Sequence, residues 1–171
     1  NGLVSLGVPV IGGHTAEGAE LTAALTVVGD KAPAASTRAR VGDALILTKP
    51  LGVGLILAGR MLGKVHPHAV ETALKHCEQD NAQAARILEP YATGLRTDVT
   101  GFGLLGHLQT EVPDGLGASV SAKAIPLLPG ALDAFRAGIR PTILDANQRA
   151  TAQALCNAPS PEISGLLHDP Q

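Results

Sequence analysis

Segments with a period of two alternate along this chain with segments of helical period, and that alternation is the feature that most limits its fold. Leu21, Ala23, Leu25 and Val27 interleave with Thr22, Ala24, Thr26 and Val28, the threonine- and valine-rich pattern of a strand covered on both faces. Val8-Pro9-Val10-Ile11, bounded by Gly7 and Gly12-Gly13, reads as a short buried strand. Ala44-Leu45-Ile46-Leu47-Thr48 reads as another, stopped by Pro50 and Gly52, and further strands are expected near Leu95-Arg96-Thr97 and over Leu116 to Ala122. Between them lie helical patterns. Leu55, Ile56, Ala58, Gly59 and Leu62 form one stripe, and Pro67 to Leu88 reads as one long helix or two, with Asp80-Asn81 as the restart. Helices are also expected from Phe102 to about Leu108, over Ala131–Ala137 and over Asp145–Leu155. Interspersed strands and helices imply a layered α/β or α+β domain, and 171 residues suit one domain with a real core.

Composition narrows the partners. Lysine plus arginine number 13 and aspartate plus glutamate 15, a net charge of −2, which argues against a broad nucleic-acid surface or a polybasic membrane patch. Three aromatics and no tryptophan leave no base-stacking platform. No apolar run approaches the ~20 residues of a membrane span, and no signal peptide is visible. Cys77 and Cys156 lie far apart without metal-ligand spacing, so two reduced, mostly buried thiols in a cytoplasmic protein are expected. Asn1-Gly2-Leu3 reads like the tail of a helix, and the last residues, Leu166 to Gln171, like the middle of a structure. The sequence is therefore expected to be part of a longer chain, truncated at both ends.

Glycine (20) and proline (12) exceed their usual ~12% share, which points to tight turns or to backbone set close to a ligand. Gly101-Phe102-Gly103-Leu104-Leu105-Gly106 matches G-x-G-x-x-G literally. The dinucleotide reading fails on context, because no acid lies about 20 residues on, around Val120 to Lys123. A Walker A loop fails too: Gly59 to Lys64 has the wrong spacing, and Val65 stands where a hydroxyl is required. His66-Pro67-His68 and His76-Cys77 do not make a zinc site, since adjacent helical residues point about 100° apart. Cys77 follows His76, but adjacent helical residues point apart, and Cys156 has no base beside it, so no nucleophile is expected within this chain.

Thr97-Asp98-Val99-Thr100-Gly101 is more informative, because it sets a carboxylate and two hydroxyls before a helix start. Free N–H groups there suit phosphate, and a bare carboxylate repels it. A hard divalent cation held by Asp98 resolves that conflict. Asp98 or Thr100 as a simple helix cap explains the same residues, and the pattern alone leaves both open. Gly12-Gly13-His14-Thr15 likewise reads either as close backbone approach to a ligand or as a tight turn with a structural histidine.

Gly12-Gly13-His14-Thr15-Ala16-Glu17-Gly18, Gly42-Asp43-Ala44-Leu45-Ile46-Leu47-Thr48-Lys49-Pro50-Leu51-Gly52 and Thr97-Asp98-Val99-Thr100-Gly101-Phe102-Gly103-Leu104-Leu105-Gly106-His107-Leu108 occur in that order. Together they closely resemble the C-terminal domain of the selenophosphate synthetases (selenide, water dikinases), across essentially the whole chain. Aminoimidazole ribonucleotide synthetase and related ATP-using families share the fold and read differently at these stretches.

The resemblance implies a three-layer α/β/α domain with a mixed sheet, spanning 1–171. It implies an enzyme that turns ATP, selenide and water into selenophosphate, AMP and phosphate. It also implies a homodimer, and a separate N-terminal domain carrying the catalytic cysteine or selenocysteine, so this chain alone is expected to be inactive. By the same resemblance Asp98 matches a magnesium-binding aspartate, while Gly12, Gly13 and His14 match a segment reaching the nucleotide bound by the partner subunit. The alternatives are a non-catalytic scaffold domain within a fusion protein, or a related ATP-dependent synthetase or kinase.

Overall fold

The structure is a computed structural model that describes residues 7–30, 39–91, 95–157 and 160–171. The expected helix tail at Asn1–Leu3 and much of the surface loop expected over Gly29–Gly42 lie outside the described residues. The chain divides into two units, Asn1–Ala34 and Ala35–Gln171. In the first, residues 7–30 carry no regular element and are exposed throughout.

The second unit is helical. Its elements are α1 (Val53–Met61), α2 (Pro67–Glu78), α3 (Ala82–Leu88), α4 (Gly103–Glu111), α5 (Ala131–Arg136), α6 (Leu144–Thr151) and α7 (Pro161–Leu167), with a 3-10 turn at Ala122–Ala124. Local chemistry sets their ends. Pro67 opens α2, where its missing N–H costs nothing, and His66 Nδ1 accepts from His68 N at 3.2 Å. The Asp80 carboxylate accepts from Ala82 N at 2.7 Å, which starts α3 at the expected restart. Ser160 and Pro161 begin α7 in the same manner, with Ser160 Oγ accepting from Ile163 N.

The core forms where the helical stripes meet. Leu55 and Ile56 of α1 pack with Ala69, Val70 and Ala73 of α2, and with Leu128, Ala131, Ala134 and Phe135 in and before α5. Ile139, Leu144 and Leu166 complete the cluster. Across the surface, Arg136 of α5 makes a paired contact with Glu162 of α7 at 3.0 and 3.2 Å. Among the described residues no helix is long and apolar enough to cross a membrane.

The helical expectations are met, except that Leu62 of the first stripe falls just past α1 and is exposed, that α6 stops at Thr151 rather than Leu155, and that α7 is an additional helix. The strands are another matter. Among the described residues no strand is present over 8–11, 21–28, 44–48, 95–97 or 116–122, and the one β-type pairing is an isolated parallel bridge between Leu51 and Leu127. Leu51 N donates to Pro126 O at 3.0 Å and Leu128 N to Leu51 O at 2.9 Å. Period-two alternation fixes which face a residue would take, but a strand exists only when its N–H and C=O groups find a partner. Here Leu21, Leu25, Val27, Val28 and Ile46 remain exposed.

Candidate functional site

Asp98 sits in the irregular segment that leads into the turn opening α4, and it is exposed. The helix N-terminus carries no side-chain cap, so neither Asp98 nor Thr100 serves the capping role that the sequence left open. The turn is instead held at its backbone. Thr100 N donates to His107 Nε2 at 3.0 Å, which assigns the hydrogen of that ring to Nδ1, and the ring of His107 lies 5.6 Å from that of Phe102. Thr100 O accepts from Gly103 N and from Gln171 N, both at 3.1 Å. Gly101 O accepts from Asn147 Nδ2 at 2.8 Å.

Two of the three glycines of the literal G-x-G-x-x-G stretch, Gly103 and Gly106, have packing reasons. Gly103 adopts a φ of 69° and lies against the His168 backbone, where a Cβ would come within 2.7 Å of the carbonyl carbon. A Cβ on Gly106 would meet Phe102 Cβ at 2.7 Å. The approach of the C-terminal tail accounts for Gly103, and the side chain one turn earlier at the start of the same helix accounts for Gly106.

Residues 168–171 form a clasp over the same region. Gln171 Oε1 accepts from Gly52 N at 3.1 Å and Val53 N at 3.4 Å, and Pro170 O accepts from Gly54 N at 2.9 Å. The tail thus satisfies the first N–H groups of α1 from 119 residues away. Asp169 is fully buried behind it, with Oδ2 accepting from Gln171 Nε2 at 3.1 Å and Oδ1 without a partner. Burial pushes its carboxyl up to about 7, against the opposing pull of Gln171 and of the Leu55 and Gly54 N–H groups. His168, also buried, donates from Nδ1 to Ser164 O at 2.6 Å and meets Thr151 Oγ1 through Nε2 at 2.6 Å. Sequence reasoning missed Asn147, His168, Asp169 and Gln171 as a group. The one available signal was the polar pair His168-Asp169 that follows the apolar pair Leu166-Leu167.

A raised carboxyl has a defined effect on stability. The unfolded chain releases this proton near pH 4 and the folded chain only near pH 7. Between those values the folded state binds more protons, so the Asp169 contribution falls as pH rises, by up to ~1.4 kcal/mol per unit, and levels off above about pH 7. Asp169→Asn is expected to remove that decline and to raise the melting midpoint at pH 8. Thermal melts from pH 4 to 8 measure both, and parallel curves for the two proteins would contradict the buried-acid account.

Gly12, Gly13 and His14 lie in the first unit, exposed, while Asp98 belongs to the second. Neither Gly12 nor Gly13 has a positive φ, and a Cβ on either would meet open space. Packing among the described residues therefore does not require glycine at these positions. Among the described residues no three histidine, cysteine or acidic side chains gather closely enough to hold a metal on their own. Cys77 and Cys156 are free thiols, and both are exposed rather than buried as expected.

No family model matches the chain. Curated proteins do. Selenide, water dikinase 2 of Peptoclostridium acidaminophilum is 34% identical over 99% of this chain, and that match takes in 50% of the relative. Selenide, water dikinase of Geobacter metallireducens is 39% identical over 79% of the chain and 40% of the relative. The protein of the same name from Clostridioides difficile is 30% identical over 96% of the chain and 49% of the relative. The chain is a relative of the selenide, water dikinases. It spans about half the length of the selenide, water dikinases it matches. The family resemblance read from the Gly-Gly-His-Thr and Asp-Val-Thr-Gly-Phe-Gly stretches is thereby shown.

Proposed function

We propose that this chain is the C-terminal domain of a selenide, water dikinase, an enzyme that converts ATP, selenide and water to selenophosphate, AMP and phosphate. The observation that carries the reading is the match along 99% of the chain to a protein of that name. In the longer enzyme the extended segments over 8–11, 21–28, 44–48 and 116–122 join a mixed sheet in a three-layer α/β/α domain. Their exposed apolar residues supply the faces such a sheet buries. The enzyme works as a cytoplasmic homodimer.

Asp98 is the magnesium ligand. The residues fit that role in part: the carboxylate is exposed, no side chain caps the adjacent helix, and Thr100 adds a hydroxyl nearby. One carboxylate suffices when substrate oxygens complete the shell, since magnesium commonly takes one or two carboxylates plus phosphates. Magnesium bound there would neutralise charge that builds on the transferring phosphoryl oxygens. Asp98 precedes the first residue of α4 by five residues, and N–H groups at a helix start favour the same oxygens. Gly12 and Gly13 let the backbone come close to the nucleotide, and His14 offers it a hydrogen-bonding ring.

The test is AMP formation from ATP by the full-length protein with and without selenide. AMP that accumulates only when selenide is present is the expected result. Turnover indifferent to selenide would overturn this reading in favour of a related ATP-dependent synthetase or kinase, and no turnover at all in favour of a scaffold domain.

A further inference from the structure

We infer that Asn147 is a positioning residue for Asp98, acting through the turn that connects Asp98 to α4; the inference rests on the metal role proposed for Asp98. Asn147 lies on the inward stripe of α6, between Leu144 and Thr151, and is 7% exposed. A carboxamide placed there loses water, so its hydrogens must be used within the protein. Both are: Nδ2 donates to Gly101 O at 2.8 Å and to His168 O at 3.0 Å. One side chain therefore ties the Asp98-bearing segment to the C-terminal clasp.

The turn has few other restraints. Its backbone atoms Thr100 N, Thr100 O and Gly101 O are held by His107, by Gln171 with Gly103, and by Asn147 respectively. Asp98 itself is exposed, and the hydrogen bond recorded at its backbone carbonyl comes from Thr97 Oγ1 at 3.2 Å. The direction in which the carboxylate is presented is set two and three residues further on, where Asn147 and the clasp grip the chain. A metal ligand needs that direction fixed, because coordination tolerates little angular error.

The experiment measures Mn2+ binding to the full-length protein in the presence of a non-hydrolysable ATP analogue, reading free Mn2+ by electron paramagnetic resonance. Asn147→Ala is expected to weaken Mn2+ binding roughly 10-fold. Asn147→Asp, which has at most one hydrogen to donate where Asn147 uses two, is expected to weaken it in the same direction. In an Asp98→Ala background, Asn147→Ala is expected to cause no further loss, since the two act on one ligand. A lowered melting midpoint with unchanged Mn2+ affinity would show a purely structural residue and overturn the inference. So would an equal loss of affinity with and without Asp98. Unchanged affinity in Asp98→Ala alone is a separate outcome, which removes the metal role of Asp98 and the inference with it. Should Asn147→Ala fail to fold, Gln171→Ala loosens the same clasp from a half-buried position. It is expected to weaken Mn2+ binding in the same direction, and an unaltered affinity there would overturn the inference.

Discussion

Asp98→Ala in the full-length enzyme is expected to cut ATP turnover on the order of 10³-fold while the fold survives. Two separate features lead to that split. The carboxylate is exposed, and neither an N-cap nor a shared metal cluster within the described residues depends on it. Substitutions at such surface positions usually change stability by no more than about 0.5 kcal/mol. The proposed phosphate site brings the opposite demand, because several negative oxygens would have to settle near a helix start that an acid precedes. On the proposed metal role, a cation between acid and phosphate would lose its protein anchor without Asp98, and losing one preorganised electrostatic contact costs catalysis far more than it costs folding. Asp98→Asn keeps an oxygen but no charge and is expected to be nearly as damaging. AMP release and a thermal melt on the same preparations check both halves. Turnover within a few-fold of wild type would remove the metal role, and a melting midpoint lowered by many degrees would show that Asp98 holds structure.

The helical half of the second unit was legible because its signals are local. The Leu55–Ile56–Gly59 stripe, Pro67 at a first turn and the Asp80-Asn81 restart each act within four residues, and each appears where the pattern put it. Helix α7 escaped notice because seven residues give barely two turns of periodicity. The alternating segments show the limit of pattern reading from the other side. Leu21 to Val28 encodes two faces, yet pairing is a property of two segments at once. The candidate site divides in the same way. Asp98 and the Gly12-Gly13-His14 stretch stood out by residue type and resemblance. Asn147, Asp169 and Gln171 did not, because their roles exist only through contacts such as Gln171 with Gly52, which nothing local announces. A buried asparagine on a helix stripe looks in sequence like a solvated one.

Gly103→Ala is expected to be the most destabilising single methyl group that can be added to this turn. Two costs coincide there. The residue sits at a φ of 69°, where an L side chain is strained by about 1–3 kcal/mol. The new Cβ would also lie 2.7–2.8 Å from the carbonyl carbon, Cα and oxygen of His168. These are backbone atoms, so no rotamer change relieves the contact, and the tail has to move. Moving it strains the Asn147 bond to His168 O, the Pro170 bond to Gly54 N and the Gln171 cap of α1 together. Overpacking of that kind adds about 1–3 kcal/mol, so a total loss of roughly 2–6 kcal/mol is expected, a large share of ordinary domain stability. Gly101→Ala, two residues earlier in the same stretch, provides the contrast. Its nearest neighbour would be Ile143 Cδ1 at 3.8 Å, an ordinary contact, and its φ is not positive, so it should melt close to wild type. A glycine run kept for nucleotide approach would instead leave stability indifferent to both changes. Thermal melts of the two variants therefore separate a packing origin from a ligand-binding one, and a Gly103→Ala protein that melts within a degree of wild type would show that the tail does not lie against this turn.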